Sequence, residues 1–435
     1  MNFFSFRRKF FFLSFALAIL TLTFCRNMIY AAELRFHDEV YRHNIRSVRF
    51  HRSGSDMSKP VIALNSNDQL HLSFDDLESG VKAYRYTVIH CDALWNPSDL
   101  WPTDYISGFA DDLIESYQFS FNTLIPFTHY TLLFPNERMR ITLSGNYILK
   151  VFENNDPAQV VLTRRFMVTD LKVDITETSV RMPATGSERH QKQEVGFIIR
   201  SERIPLIDPS RNLHVRVVQN QRWDNALMLQ PMMVIGNMLD YRYNDGTTVF
   251  EAGNEFHTLD IRSLRTLSEQ VSEIERTPNA FRVHLWPDQR RTFNPYLFLH
   301  DLNGRFQISA ENTRDPALES EYVLVHFTLE MEHAIPGANI YIFGMLSDWQ
   351  FREEHRMWFN RRTSAFEGKL LLKQGVYDYQ FVLLDKDATS GNIGFIEGNH
   401  HQTGNEYTIY VYYRPPGARY DHLIGLQVIN SRDFH

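Results

Sequence analysis

Eighteen histidines and 52 acidic residues give this 435-residue chain ample material for acid–base or metal chemistry. Spacing decides whether any of it is assembled. The densest local group is Glu397, His400 and His401. Adjacent side chains on a strand point to opposite faces, so His400 and His401 could not share one ion from a strand. No ligand spacing of a structural or catalytic zinc site accompanies them, and they read as hydrogen-bonding loop residues. His300-Asp301 and Asp421-His422 are isolated pairs, expected on the surface. A Ser-His-Asp assembly is brought together by the fold and needs no fixed spacing. Even so, the chain has no Gly-x-Ser-x-Gly elbow, zinc-protease motif, phosphate loop or dinucleotide-binding glycine fingerprint. The expectation is no enzyme: no catalytic residues, no cofactor and no metal.

Thiol chemistry is equally restricted. Residues 1–31 have the layout of a secretory signal peptide: Arg7, Arg8 and Lys9, an apolar run from Phe10 to Phe24, then a cleavage position after Ala31. The apolar run is short for a spanning helix, which argues against an uncleaved anchor. A lipoprotein reading of Cys25 meets the bulky Phe24 where processing wants a small residue. With the leader gone, Cys91 is the one remaining cysteine. No intrachain disulfide is then available, and Cys91 is expected as a buried thiol on a strand. Cleavage also removes four basic and no acidic residues, leaving 41 basic against 52 acidic, a net charge of −11. That balance argues against nucleic-acid binding and against docking on anionic headgroups. No later run approaches spanning length, so direct membrane insertion is not expected.

The elements that would hold such residues in place are strands. Aromatics make up 14% of the chain, with 33 Phe and 20 Tyr, and they favour half-buried pleated surfaces. Short runs such as Leu70 to Phe74, Tyr84 to His90, Leu213 to Val218 and Tyr322 to Leu329 are divided by polar turn clusters. Tyr147 to Glu153 and Val160 to Val168 read as a hairpin across Asn154-Asn155-Asp156-Pro157. Ile261, Leu264, Leu267, Val271 and Ile274 have helical spacing, so a short helix or irregular crossover is expected over Leu259 to Glu275. The predicted architecture is all-β, three consecutive β-sandwich domains: 32–170, immunoglobulin-like in its strand spacing; 171–311; and 312–435, entered through the polar linker 310–316. The last resembles the early-set sandwich of glycogen-binding modules around Ile340 to Gly344 and Asp348-Trp349. Trp349 and Trp358 could there stack on a sugar, which makes a carbohydrate-binding accessory protein the alternative function. After Asp385 the chain departs from that pattern.

Aromatics crowd the stretch from Trp95 to Phe152. Trp95 and Trp101 sit among Asn, Pro, Ser and Asp, as exposed anchors would, and Tyr105 and Phe109 follow. Trp and Tyr dominate interface hot spots, so Trp95, Trp101, Tyr105 and Phe109 are the candidate partner-binding residues. Asn122 and Asn146 read as turn-fixing residues. The order of words in this stretch resembles the type IX secretion system plug protein family: Ser120-Phe121-Asn122-Thr123, Thr128-His129-Tyr130, Phe134-Pro135-Asn136 and Ser144-Gly145-Asn146-Tyr147. The likeness continues at Glu397-Gly398-Asn399-His400, Asn405-Glu406-Tyr407 and Val411-Tyr412-Tyr413-Arg414. The resemblance implies a non-enzymatic periplasmic protein, peripheral to the inner face of the outer membrane. It implies one partner, the large outer-membrane translocon barrel, whose periplasmic opening the protein seals when no substrate passes, and a monomer apart from that complex.

Overall fold

The computed structural model describes residues 34–78 and 80–434; the leader predicted over 1–31 lies outside them. The described chain is mostly β, with several antiparallel sheets and one large, nearly closed, barrel-like sheet. Its hydrophobic residues gather into three main cores, which define three bodies.

The first body follows the alternation read from sequence. A four-stranded sheet is built around Ile45–Arg52, Leu70–Asp76 and Thr128–Phe134. A six-stranded sheet is built around Tyr84–Cys91, Gly145–Glu153 and Val160–Thr169. Every second side chain, including Leu70, Leu72 and Phe74 on one sheet and Tyr84, Tyr86 and Val88 on the other, enters a shared core. The predicted hairpin is present, with a bulge between Val151 and Phe152.

The 311/312 boundary does not coincide with a sheet boundary. Leu213–Gln219 pairs along its length with Glu406–Tyr413, so that Val215 faces Val411 and Val217 faces Ile409. Tyr407, Ile409, Val411, Tyr413, Ile424 and Ile429 therefore share a core with Val195, Phe197, Ile199 and Val215. The middle body is discontinuous, made of residues from 171 to about 252 and from about 403 to 434. The third body is inserted between them and begins before the polar linker: His257–Asp260 pairs with Gly375–Asp385, and Phe281–Leu285 runs parallel to Tyr322–Glu330. Where the helix was expected, Val271–Arg276 forms a strand paired with Phe281–Leu285, preceded by a loop. The apolar spacing there arises from Leu259, Ile261 and Val271 reaching one core from a strand end and a loop. Asp315 caps a single helical turn, Pro316–Glu319, in the former linker.

Candidate functional site

Among the described residues, no group of three or more His, Cys, Asp or Glu is placed to hold a metal ion. His400 and His401 lie in the loop that binds the inserted body to the middle one: the His400 amide donates to the Gly253 carbonyl at 2.9 Å and the His401 amide to the His190 carbonyl at 2.9 Å. Glu397 faces inward. Its carboxylate accepts from the Phe381 amide at 2.7 Å and lies 2.6 Å from Arg291 and 3.1 Å from His257. Burial alone would raise the Glu397 pKa, but Arg291 and His257 bring it down to about 2. Burial alone would lower that of His257, but the Glu397 carboxylate lifts it to about 9. This is a closed ion cluster with no open position for a substrate. Asp301 is likewise structural rather than an isolated surface group, since it accepts from the Phe256 amide at 2.8 Å. Cys91 is buried, and burial pushes its thiol up to about 12.

The four candidate aromatics separate into two pairs. Trp95 is 3% exposed and Tyr105 4% exposed, which corrects the expectation of exposed anchors for both. Asp92 turns the chain at Trp95: its carboxylate accepts from the Leu94 and Asn96 amides, each at 2.8 Å, and Trp95 takes a left-handed φ of 68°. The indole is thereby driven into the seam between the first and middle bodies. There it meets Trp223 edge-on at 5.4 Å and lies beneath the Arg165 guanidinium at 4.2 Å. Burial lowers the Arg165 pKa to about 10, which still leaves it charged at neutral pH. Tyr105 fills the first core and donates to the Val88 carbonyl at 3.3 Å. Polar neighbours in sequence misled because the polar residues build the turn while the ring points inward.

Trp101 and Phe109, at 72% and 62% exposed, are on the surface. Sequence reasoning passed over their companions Tyr117, Phe119 and Phe121, which are exposed as well. Ser116–Phe119 is the outermost strand of its sheet, and all four of its residues are exposed. The signal available was Tyr-x-Phe-x-Phe, three aromatics at alternate positions. Trp349 is buried against Phe256 and Phe343, so the expected pair of sugar-stacking tryptophans is not assembled. Trp358 is exposed, its ring covered by the Arg356 guanidinium at 3.9 Å.

Several of the sequence words prove to be joints. Asn146 is fully buried and fixes a seam rather than a turn: it accepts from the Tyr412 hydroxyl at 2.9 Å and donates to the Asp92 carbonyl at 2.9 Å. Gly145 beside it has φ +138°, and a Cβ there would come within 2.7 Å of the His90 imidazole. Asn122 does have a left-handed φ, 59°, in its loop. His129 pairs with Asp75 at 2.6 Å, and Asp75 also takes Lys373 at 2.6 Å and the Tyr322 hydroxyl at 2.7 Å from the inserted body. Glu406 ties all three bodies: it belongs to the middle one, pairs with Lys59 of the first and reaches Arg305 of the third at 2.7 Å.

Residues 45–170 match the family model for the type 9 secretion system plug protein 1st domain. Among solved structures the chain is similar to a hypothetical protein from Parabacteroides merdae ATCC 43184, with 36% identity and a TM-score of 0.88; the match covers 92% of this chain and 100% of that one. No curated protein matches the chain.

Proposed function

The chain belongs to the type 9 secretion system plug protein family, and on that premise we propose that it is a non-enzymatic periplasmic plug. In this reading it binds the periplasmic opening of the outer-membrane translocon barrel and occludes it while no substrate passes. The observation that carries the reading is the joint at Glu406, where Lys59 and Arg305 meet one carboxylate. A body that closes a wide pore must not flex at its seams, and here the seams are closed by buried or half-buried ion pairs and by aromatic packing. Trp101 and Phe109 serve as anchors to the barrel, extended by Tyr117, Phe119 and Phe121. The first and middle bodies are read as sandwich folds, immunoglobulin-like in the first, while the inserted body carries the early-set likeness around Ile340 to Trp349 on its barrel-like sheet. Among the described residues no helix is long and apolar enough to cross a membrane.

The test removes the anchors without touching a core. Truncating a buried interfacial aromatic costs about 2–4 kcal/mol, or about 30- to 1000-fold in affinity. The Trp101→Ala/Phe109→Ala double variant is expected to fold normally and to be lost from the barrel during affinity purification of mildly solubilised outer membranes. Deleting the protein is expected to admit large dyes that the outer membrane excludes. Unchanged permeability with the barrel present would overturn the assignment.

A further inference from the structure

Residues 225–239 contain no charged side chain, in a chain where 22% of residues are charged. Four methionines, Met228, Met232, Met233 and Met238, fall within this run. The structure turns much of it outward. Met233–Ile235 pairs with Met238–Asp240 across a two-residue turn in which Gly236 has φ +56°. Met233–Ile235 is the terminal strand of its sheet. Met228, Met232, Met233 and Val234 are exposed, and Ile235 is 54% exposed. Sheet edges are ordinarily guarded by charge, proline or extreme shortness. Here shortness is the main guard: Pro231 precedes the strand, and the nearest charge, Asp240 opposite Met233, is buried and taken up by Arg242.

The pairing geometry sets what can bind. In an antiparallel pair, residues alternate between bonding their partner and pointing N–H and C=O away from it. Ile235 and Met238 flank the turn and bond each other, so Val234, opposite Leu239, directs its amide and carbonyl outward. A matched donor and acceptor on an uncharged apolar ledge is the template for an extended polypeptide. Methionine side chains adapt to varied apolar partners. A second copy of this chain is the weaker occupant. Three residues of edge bury far less than the roughly 800 Å² per partner of a stable interface, and both copies would carry the same net negative charge.

We propose that Met233–Ile235 is a second docking element, which adds an extended, uncharged, apolar segment of the translocon as a further strand. The proposal rests on the plug reading, with the aromatic anchors supplying the primary contact.

The test places a photo-crosslinking amino acid in the full-length chain, in its own cell, at position 234, at 101 or at exposed Glu202 as a control. The expected result is an adduct with the barrel from 234 and 101 and none from 202, with the 234 adduct mapping to an uncharged segment. Val234→Lys, which alters only an exposed position, should lower recovery of the barrel with the tagged chain about tenfold, the loss of one or two backbone hydrogen bonds and the apolar contact. Adducts from 101 but not from 234 would overturn this proposal and leave the plug reading standing. Absence of barrel adducts from both would overturn the plug reading. An adduct between two copies of this chain at 234 would assign the edge to self-association and also overturn the proposal.

Discussion

At the residue scale, burial separates side chains that look alike in sequence. Trp95 and Trp101 are six positions apart in similar surroundings, yet one is wedged into a seam and the other stands in solvent. Trp95→Ala should cost about 3–5 kcal/mol, the usual loss for a large aromatic removed from a core, whereas Trp101→Ala should stay within about 0.5 kcal/mol. Urea denaturation of the two variants checks both values. The Glu397–His257 pair gives a pH signature. Its histidine is raised from 6.5 to about 9, so that contribution is complete below pH 6.5 and is lost as pH rises through 9. Its carboxylate is lowered from 4.5 to about 2, so that contribution is complete above pH 4.5 and is lost as pH falls through 2. Stability from this pair is greatest between pH 4.5 and 6.5. Denaturation midpoints measured from pH 6 to pH 9.5 should fall in the wild type, and less steeply in His257→Gln. Burial of Cys91 was readable beforehand from its place on a strand, since a free cysteine behaves as a small apolar residue. The inward turn of Trp95 was not, since it depends on Asp92 and Asn96 closing a loop over a partner surface that lies far away in sequence.

At the element scale, strand existence was legible and strand membership was not. Alternation places Leu213 to Val218 in a strand, but nothing local states that its neighbour is Glu406–Tyr413, noted in sequence only for its family words. Their pairing is set by Tyr407, Ile409 and Val411 needing the same core as Val215 and Val217. A boundary drawn from composition at 311/312 therefore missed the insertion. The same reasoning predicts the effect of truncation. Ending the chain after His401 removes six core side chains from the middle body and leaves Leu213–Gln219 unpaired on one side. Such a fragment should be insoluble or protease-sensitive in its middle segment. Limited proteolysis would instead leave residues 34–170 protected, because the core of the first body is drawn wholly from that range.

At the scale of the whole molecule, the seams hold buried side chains of their own. Trp95, Cys91, Ile148, Val218, Tyr412 and Leu423 form one cluster spanning the first and middle bodies, while Asp75, Lys373 and Tyr322 close the contact between first and inserted bodies. Calorimetry should accordingly show one transition, with calorimetric and van't Hoff enthalpies in agreement, rather than three. Glu406→Gln weakens two seams at once and should lower stability by about 2–3 kcal/mol. If it splits the transition into separate peaks, Glu406 is what couples the bodies.

The insertion also orders events in time. Asn220 and Glu406 are bonded neighbours separated by 186 positions. A chain emerging from a ribosome or an export channel presents its amino-terminal part first. The half-built middle sheet, with its uncharged methionine-rich hairpin nearby, must then wait while the whole inserted body passes. During that interval the nascent chain is exposed to wrong pairings, and escort by a holdase matters most. Completion of the middle body is thus a late checkpoint on the entire molecule: a prematurely terminated product would lack the strand that closes it and be open to proteolytic clearance.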